Sequence, residues 1–93
     1  MKKVYIAGKI TGQNNFKEIF KNAEKQFIKQ GFLVMNPAEL PSGFGYEDYM
    51  KVCFAMIDVC DGVHFLDNWQ DSEGAKREYH YALANNKTLS FSI

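Results

Sequence analysis

Apolar residues follow two rhythms along the chain. Short apolar runs at Lys3–Ala7, Phe32–Met35, Val63–Leu66 and Thr88–Ser92 predict four strands, the first three rich in β-branched or aromatic residues. Between them the spacing changes to that of a helix. Phe16, Ile19, Phe20, Ala23 and Phe27 form one stripe, and Tyr49, Met50, Cys53, Phe54 and Ile57 a second. Ala75, Tyr79, Ala82 and Leu83 form a third, with Lys76, Arg77 and His80 pointing away from it. Turn chemistry supplies the boundaries. Asn15 with Glu18 predicts a capping box, Gly31 ends the first helix, and Asn36-Pro37 ends the second strand. The second helix is predicted from Tyr46 to Cys60, and the third opens at Asp71 or Ser72 and closes at Asn85-Asn86. The stretch from Ala38 to Gly45 is the one long irregular segment, either a rim of a site or a connector.

Strands alternating with helices predict a small flavodoxin-like α/β fold of three layers, with helices on both faces of a four-stranded parallel sheet. The first three strands are expected to be buried. Right-handed crossovers limit the strand order most simply to 2-1-3-4. Ligands of such sheets sit beyond the carboxyl ends of the strands, where the strand order reverses. The loop after the first strand (Gly8 to Asn14) and the loop after the third (Asp67 to Glu73) should therefore converge on one crevice, with the loop from Asn36 as a third wall.

The bulk properties narrow the function. A chain of 93 residues suits a single domain, 1–93, which buries little enough surface that homodimers or larger homo-oligomers are expected. Eleven basic and eleven acidic residues cancel, which disfavours nucleic acid or an anionic membrane as a partner. No run approaches a membrane span and no signal-peptide pattern opens the chain, so a cytoplasmic protein is expected. Cys53 and Cys60 form no metal-ligand spacing with His64 and His80 and read as buried free thiols; no metal or cofactor is expected. His64 lies within an apolar run and reads as a core histidine or, alternatively, a base.

One residue stands out against this pattern. Glu78 falls beside Ala75 and Ala82, at the edge of the sector that should face the protein. It is either a satisfied, half-buried glutamate or a reactive acid placed near the crevice. Gly8, Lys9, Ile10 and Gly12 form a loop whose amides can approach an anion, though the spacing is neither a Walker pattern nor a dinucleotide fingerprint. Trp69 lies in the loop beside the crevice and could stack on a base or serve only as a packing aromatic.

Tyr5-Ile6-Ala7-Gly8-Lys9-Ile10-Thr11-Gly12, then Asn36-Pro37, then Cys60-Asp61-Gly62-Val63, then Ser72-x-Gly74-x-x-x-Glu78 with Ala82, resembles the nucleoside 2-deoxyribosyltransferase superfamily, and is most similar to its short bacterial and phage members. The resemblance spans nearly the whole chain in order. It implies cleavage or transfer of the N-glycosidic bond of a nucleoside or nucleoside 5′-monophosphate, with Glu78 as the nucleophile. It also implies that Ser72 and Gly74 hold the 5′ end, while Tyr5, Gly8, Lys9, Ile10 and Gly12 line the sugar and base pocket. A carboxylate suits that chemistry, because an oxocarbenium-like state is stabilised and trapped by a close anion. The departing base needs a proton, so a second acid is expected, and Asp61 is the candidate, with capping of the strand start as its other reading. Better-known relatives carry an aspartate in the second helix where this chain has Cys53, and complete the site with a C-terminal residue of a neighbouring subunit, a group this chain, ending at Ile93, is expected to lack. Two readings follow: an enzyme acting on N-glycosidic bonds, or a non-catalytic nucleotide-binding module of the same fold.

Overall fold

In the computed structural model, which describes residues 2–92, four parallel strands form one sheet in the order 2-1-3-4. Strand β1 (Lys3–Ala7) lies between β2 (Leu33–Met35) and β3 (Gly62–Phe65), and β4 (Thr88–Phe91) pairs with the far side of β3. Helix α1 (Phe16–Lys29) covers one face over β1 and β2, while α2 (Tyr46–Asp58) and α3 (Glu73–Ala84) cover the other. The three-layer architecture and the strand order agree with the expectation from the sequence.

Alternation along β1 builds two cores. Tyr5 and Ala7 pack with Val63, Phe65, Cys53, Ile57 and Ala82 under α2 and α3, whereas Ile6 packs with Phe20, Ala38 and Leu66 under α1. Four consecutive buried residues, Val4 to Ala7, are what a central parallel strand requires.

Several local expectations are corrected. β2 was expected to be a buried strand, yet Leu33 is 54% exposed, because α2 crosses β1 and leaves that side of the sheet edge uncovered. The Asn15 side chain makes no capping bond to α1 and instead accepts from Gln13 Nε2 at 2.9 Å. Leu83, expected on the inner stripe of α3, is exposed. The segment after β2 is partly ordered as a short 3-10 turn, Pro37–Glu39, capped by Asn36 Oδ1, which accepts from the Ala38 amide at 2.9 Å. His64 presents both ring nitrogens to serine hydroxyls, Ser90 at 2.8 Å and Ser92 at 2.9 Å, as a satisfied histidine does.

Candidate functional site

A central position in β1 puts Tyr5 wholly inside the protein, facing the layer of α2 and α3. Helix α3 supplies the group it meets. The Ser72 hydroxyl caps that helix, accepting from the Ala75 amide at 3.1 Å. Gly74 in its first turn lies against α2, where a Cβ would stand 3.4 Å from Met50 Sδ and 3.8 Å from the Tyr46 ring. With the helix so placed, Ala75, Glu78 and Ala82 form its buried face. Glu78 is thus at the centre of the inward stripe, only 6% exposed, and the Tyr5 hydroxyl donates to its Oε2 at 2.7 Å.

The thiol of Cys53, two turns into α2 on its buried face, bears on the same pair. Burial pushes the Glu78 carboxyl up to about 7, against the opposing pull of hydrogen bonding from Tyr5 and Cys53 and of the nearby Arg77 charge. Burial also raises the Tyr5 phenol well above its ordinary value, reinforced by the Glu78 charge, and lifts the Cys53 thiol to about 11. Near neutral pH, Glu78 is therefore the group of this trio that titrates.

The trio forms part of the lining of a cavity of about 850 Å³ at the carboxyl ends of the strands. Gly8, Lys9 and Ile10 of the loop after β1 line one side, and Pro37, Ala38 and Leu40 of the strand-2 loop a second. Tyr46, Tyr49 and Met50 of α2 form an apolar wall, with Ser72, Gly74 and Arg77 on the α3 side. The Arg77 guanidinium forks onto Glu47 at 2.9 and 3.2 Å and lies 5.5 Å from the Tyr46 ring centroid, which clasps the first turn of α2 to α3. The two loops expected to converge are also joined: the Lys9 amide donates to Asn68 Oδ1 at 3.1 Å. Among the described residues, no group of three or more His, Cys, Asp or Glu stands together to hold a metal ion.

Of the residues singled out from sequence, the structure brings Tyr5, Gly8, Lys9, Ile10, Ser72, Gly74 and Glu78 to this cavity. Four others stand elsewhere. Asp61 is at the amino end of β3, the far end of the sheet, where its Oδ2 accepts from the Lys3 amide at 2.9 Å; it cannot be the second acid of this site. Trp69 turns toward Phe65, Tyr79 and Phe91, stacking on Tyr79 at 5.0 Å, and is a packing aromatic of the α3 side. Asn36 is buried beneath the wall, donating to Glu24 Oε1 at 2.9 Å, and so supports Pro37 and Ala38 from behind. Gly12 has a φ of +78° and serves the turn in which the Gln13 amide reaches the Ile10 carbonyl.

Tyr49 and Met50, which read as the apolar face of the second helix, also line the cavity, and Tyr46 one turn earlier was the available signal that this stripe continues to an open end. Arg77, expected to point away, reaches the cavity mouth through its length.

Among solved structures, a 2-desoxiribosyltransferase from Leishmania mexicana is similar to this chain, with a TM-score of 0.76 and 22% sequence identity over 98% of this chain and 63% of its own. The chain therefore spans less than two thirds of that protein's length, and the likeness at this identity is one of fold. No curated protein matches the sequence. A family model does match, over residues 2–91, and by that match the chain belongs to the family described as a domain of unknown function (DUF4406).

Proposed function

We propose that this protein cleaves or transfers the N-glycosidic bond of a nucleoside or nucleoside 5′-monophosphate, with Glu78 as nucleophile. The observation that carries the reading is the buried Glu78 carboxylate, held by the Tyr5 hydroxyl at 2.7 Å and lining a cavity large enough for a small ligand. Tyr5 occupies Oε2 and leaves Oε1 to meet an anomeric carbon. Attack there forms a C1′–O ester bond while the C1′–N bond breaks and its electron pair leaves with the base. Water or a second base then takes the sugar from the ester and restores the carboxylate. The fold shared with a deoxyribosyltransferase supports this reading. Lys9 and Lys17, on the β1–α1 side of the cavity, suit an anionic 5′ group better than Ser72 and Gly74, which are flanked by the acids Asp71 and Glu73.

The test is incubation with ribo- and deoxynucleosides and their 5′-monophosphates, following free base by chromatography, with and without a second base. Base release is expected from wild type, with loss of about 100-fold or more in Glu78→Gln. Unchanged release in that variant would remove Glu78 from its role. A second reading, a nucleotide-binding module without chemistry, is favoured by Cys53 standing where better-known relatives of similar motif carry an acid. Binding in calorimetry without base release over long incubation would decide for it.

A further inference from the structure

Breaking the glycosidic bond of an ordinary nucleoside sends an electron pair onto the base, which leaves as an anion unless a proton reaches it. The cavity is poorly equipped to deliver one. Its carboxylates, among the described residues, are Glu78, Glu73 and Asp71. Glu73 lies five residues before Glu78, about 140° round the helix and roughly 7 Å along it, and is exposed in an ion pair with Lys76 at 3.1 Å. Asp71 ends the 3-10 turn Trp69–Asp71 and is exposed. The two groups beside Glu78, the Tyr5 phenol and the Cys53 thiol, hold their protons more tightly than usual. His64 contributes nothing to the lining, since it packs on Phe27 of α1 and spends both ring nitrogens on serines.

With Glu78 ionised as the nucleophile, the site offers a negative charge and no second acid positioned to protonate the base. Tyr49 adds an aromatic ring to the wall, and Tyr46 a second that already carries the Arg77 guanidinium 5.5 Å from its centroid, the kind of surface that favours a cationic ring. Arg77 is already neutralised by Glu47, while Lys9 and Lys17 line the opposite, β1–α1 side without a salt-bridge partner among the described residues. A ligand positive at one end and negative at the other matches this distribution.

We infer that the substrate is an N-glycoside whose base is already cationic, a pyridinium nucleoside 5′-phosphate, with the ring against Tyr46 and Tyr49 and the phosphate toward Lys9 and Lys17. The inference rests on Glu78 being the nucleophile. The step balances without a proton donor: Glu78 Oε1 forms the C1′–O bond, the C1′–N bond breaks, and its electron pair neutralises the ring nitrogen, so a neutral pyridine departs. Water then attacks C1′, the carboxylate leaves, and the surplus proton passes to solvent.

The experiment compares nicotinamide mononucleotide with adenosine and uridine 5′-monophosphates, which share its sugar phosphate, by chromatography of the released base between pH 5 and 9. The expected kcat/KM for nicotinamide release exceeds that for adenine or uracil by about 100-fold, the scale of general-acid assistance no longer needed. Its pH profile rises as Glu78 ionises and then stays level. Mass spectrometry of quenched wild type should find the pentose phosphate ester on the peptide carrying Glu78, a readout that needs no variant to fold. Faster release from the neutral nucleotides, or a falling alkaline limb with nicotinamide mononucleotide, would overturn the inference while an ester on Glu78 left the nucleophile in place. Release from none of the three would overturn the inference; if the wider nucleoside panel also failed, the glycosidic reading would fall with it.

Discussion

The Tyr5 hydroxyl and the Glu78 carboxylate, 73 residues apart in sequence, meet at 2.7 Å in the interior. A phenol that donates to a buried carboxylate stabilises its charged form, so this contact partly offsets the burial that pushes the Glu78 carboxyl up. In Tyr5→Phe the donor is gone, and the Glu78 titration should move to higher pH. Rates of base release at pH 7 should fall by about 10-fold, the value of a hydrogen bond to a charged group, and recover partly at pH 8.5. A pH–rate series on both proteins checks the direction.

The same carboxylate makes stability depend on pH. Its folded-state value, about 7, is raised above the ordinary 4.5, so the folded protein binds the extra proton between those values. Its contribution is fully present below pH 4.5 and is lost as pH rises through 7, a change on the order of 3 kcal/mol. Glu78→Gln keeps the shape and removes the charge. The variant should melt near wild type at pH 4.5 and above it at pH 8, by roughly 12–24 °C for a chain of this size. Thermal melts at the two pH values measure it, and a variant less stable at pH 8 would contradict the burial cost.

Two glycines should respond differently to an added methyl group. At Gly8 a Cβ would stand 2.8 Å from Leu66 Cδ1, 3.1 Å from Leu66 Cβ and 3.2 Å from Asn68 Oδ1, forcing apart the two loops that meet beside the cavity. Gly8→Ala should cost about 1–3 kcal/mol. At Gly74 the nearest atom, Met50 Sδ, is at 3.4 Å, so alanine fits and gains helix propensity of up to about 1 kcal/mol. Gly74→Ala should hold or raise stability while increasing KM, because the methyl group narrows the α2–α3 side of the mouth. Denaturant melts paired with kinetics separate the two effects.

Trp69 is the chain's one tryptophan, and it faces the aromatic cluster of Phe65, Tyr79 and Phe91 instead of the cavity. Its fluorescence should report unfolding, and saturating ligand should leave it nearly unchanged. Trp69→Phe should cost about 1–2 kcal/mol of stability through lost packing and leave KM as it was.

Trp69 also shows where sequence ceases to inform. The periods of 2 and 3.6 were enough to place four strands, three helices and their order, because each element buries a stripe that the chain spells out. They also exposed Glu78, an acid on a stripe of alanines. Which way a loop residue turns is decided by tertiary packing, and the 3-10 turn at Trp69–Asp71 swings the indole to the far side of α3. Of the two readings open for Asp61, the second acid and the cap of the strand start, the packing selects the cap, because the residue precedes β3 and so stands at the end of the sheet away from the cavity. Leu33 and Phe91 are apolar and yet exposed, since an apolar run does not tell a central strand from an edge. Tyr49 and Met50 line a cavity with the same spacing that would line a core.

Asp61 has a consequence of its own. Its side chain and its amide both engage Lys3, and its carbonyl accepts from the Thr88 amide at 3.1 Å, so one residue ties the beginnings of β1, β3 and β4 together. Those hydrogen-bonded amides should exchange with deuterium more slowly than other exposed amides of the chain, though faster than those of the buried middle of β1. Register is thereby fastened at the end of the sheet away from the cavity. The loops at the other end, which line the cavity, are left free to vary in length and residue without putting the fold at risk.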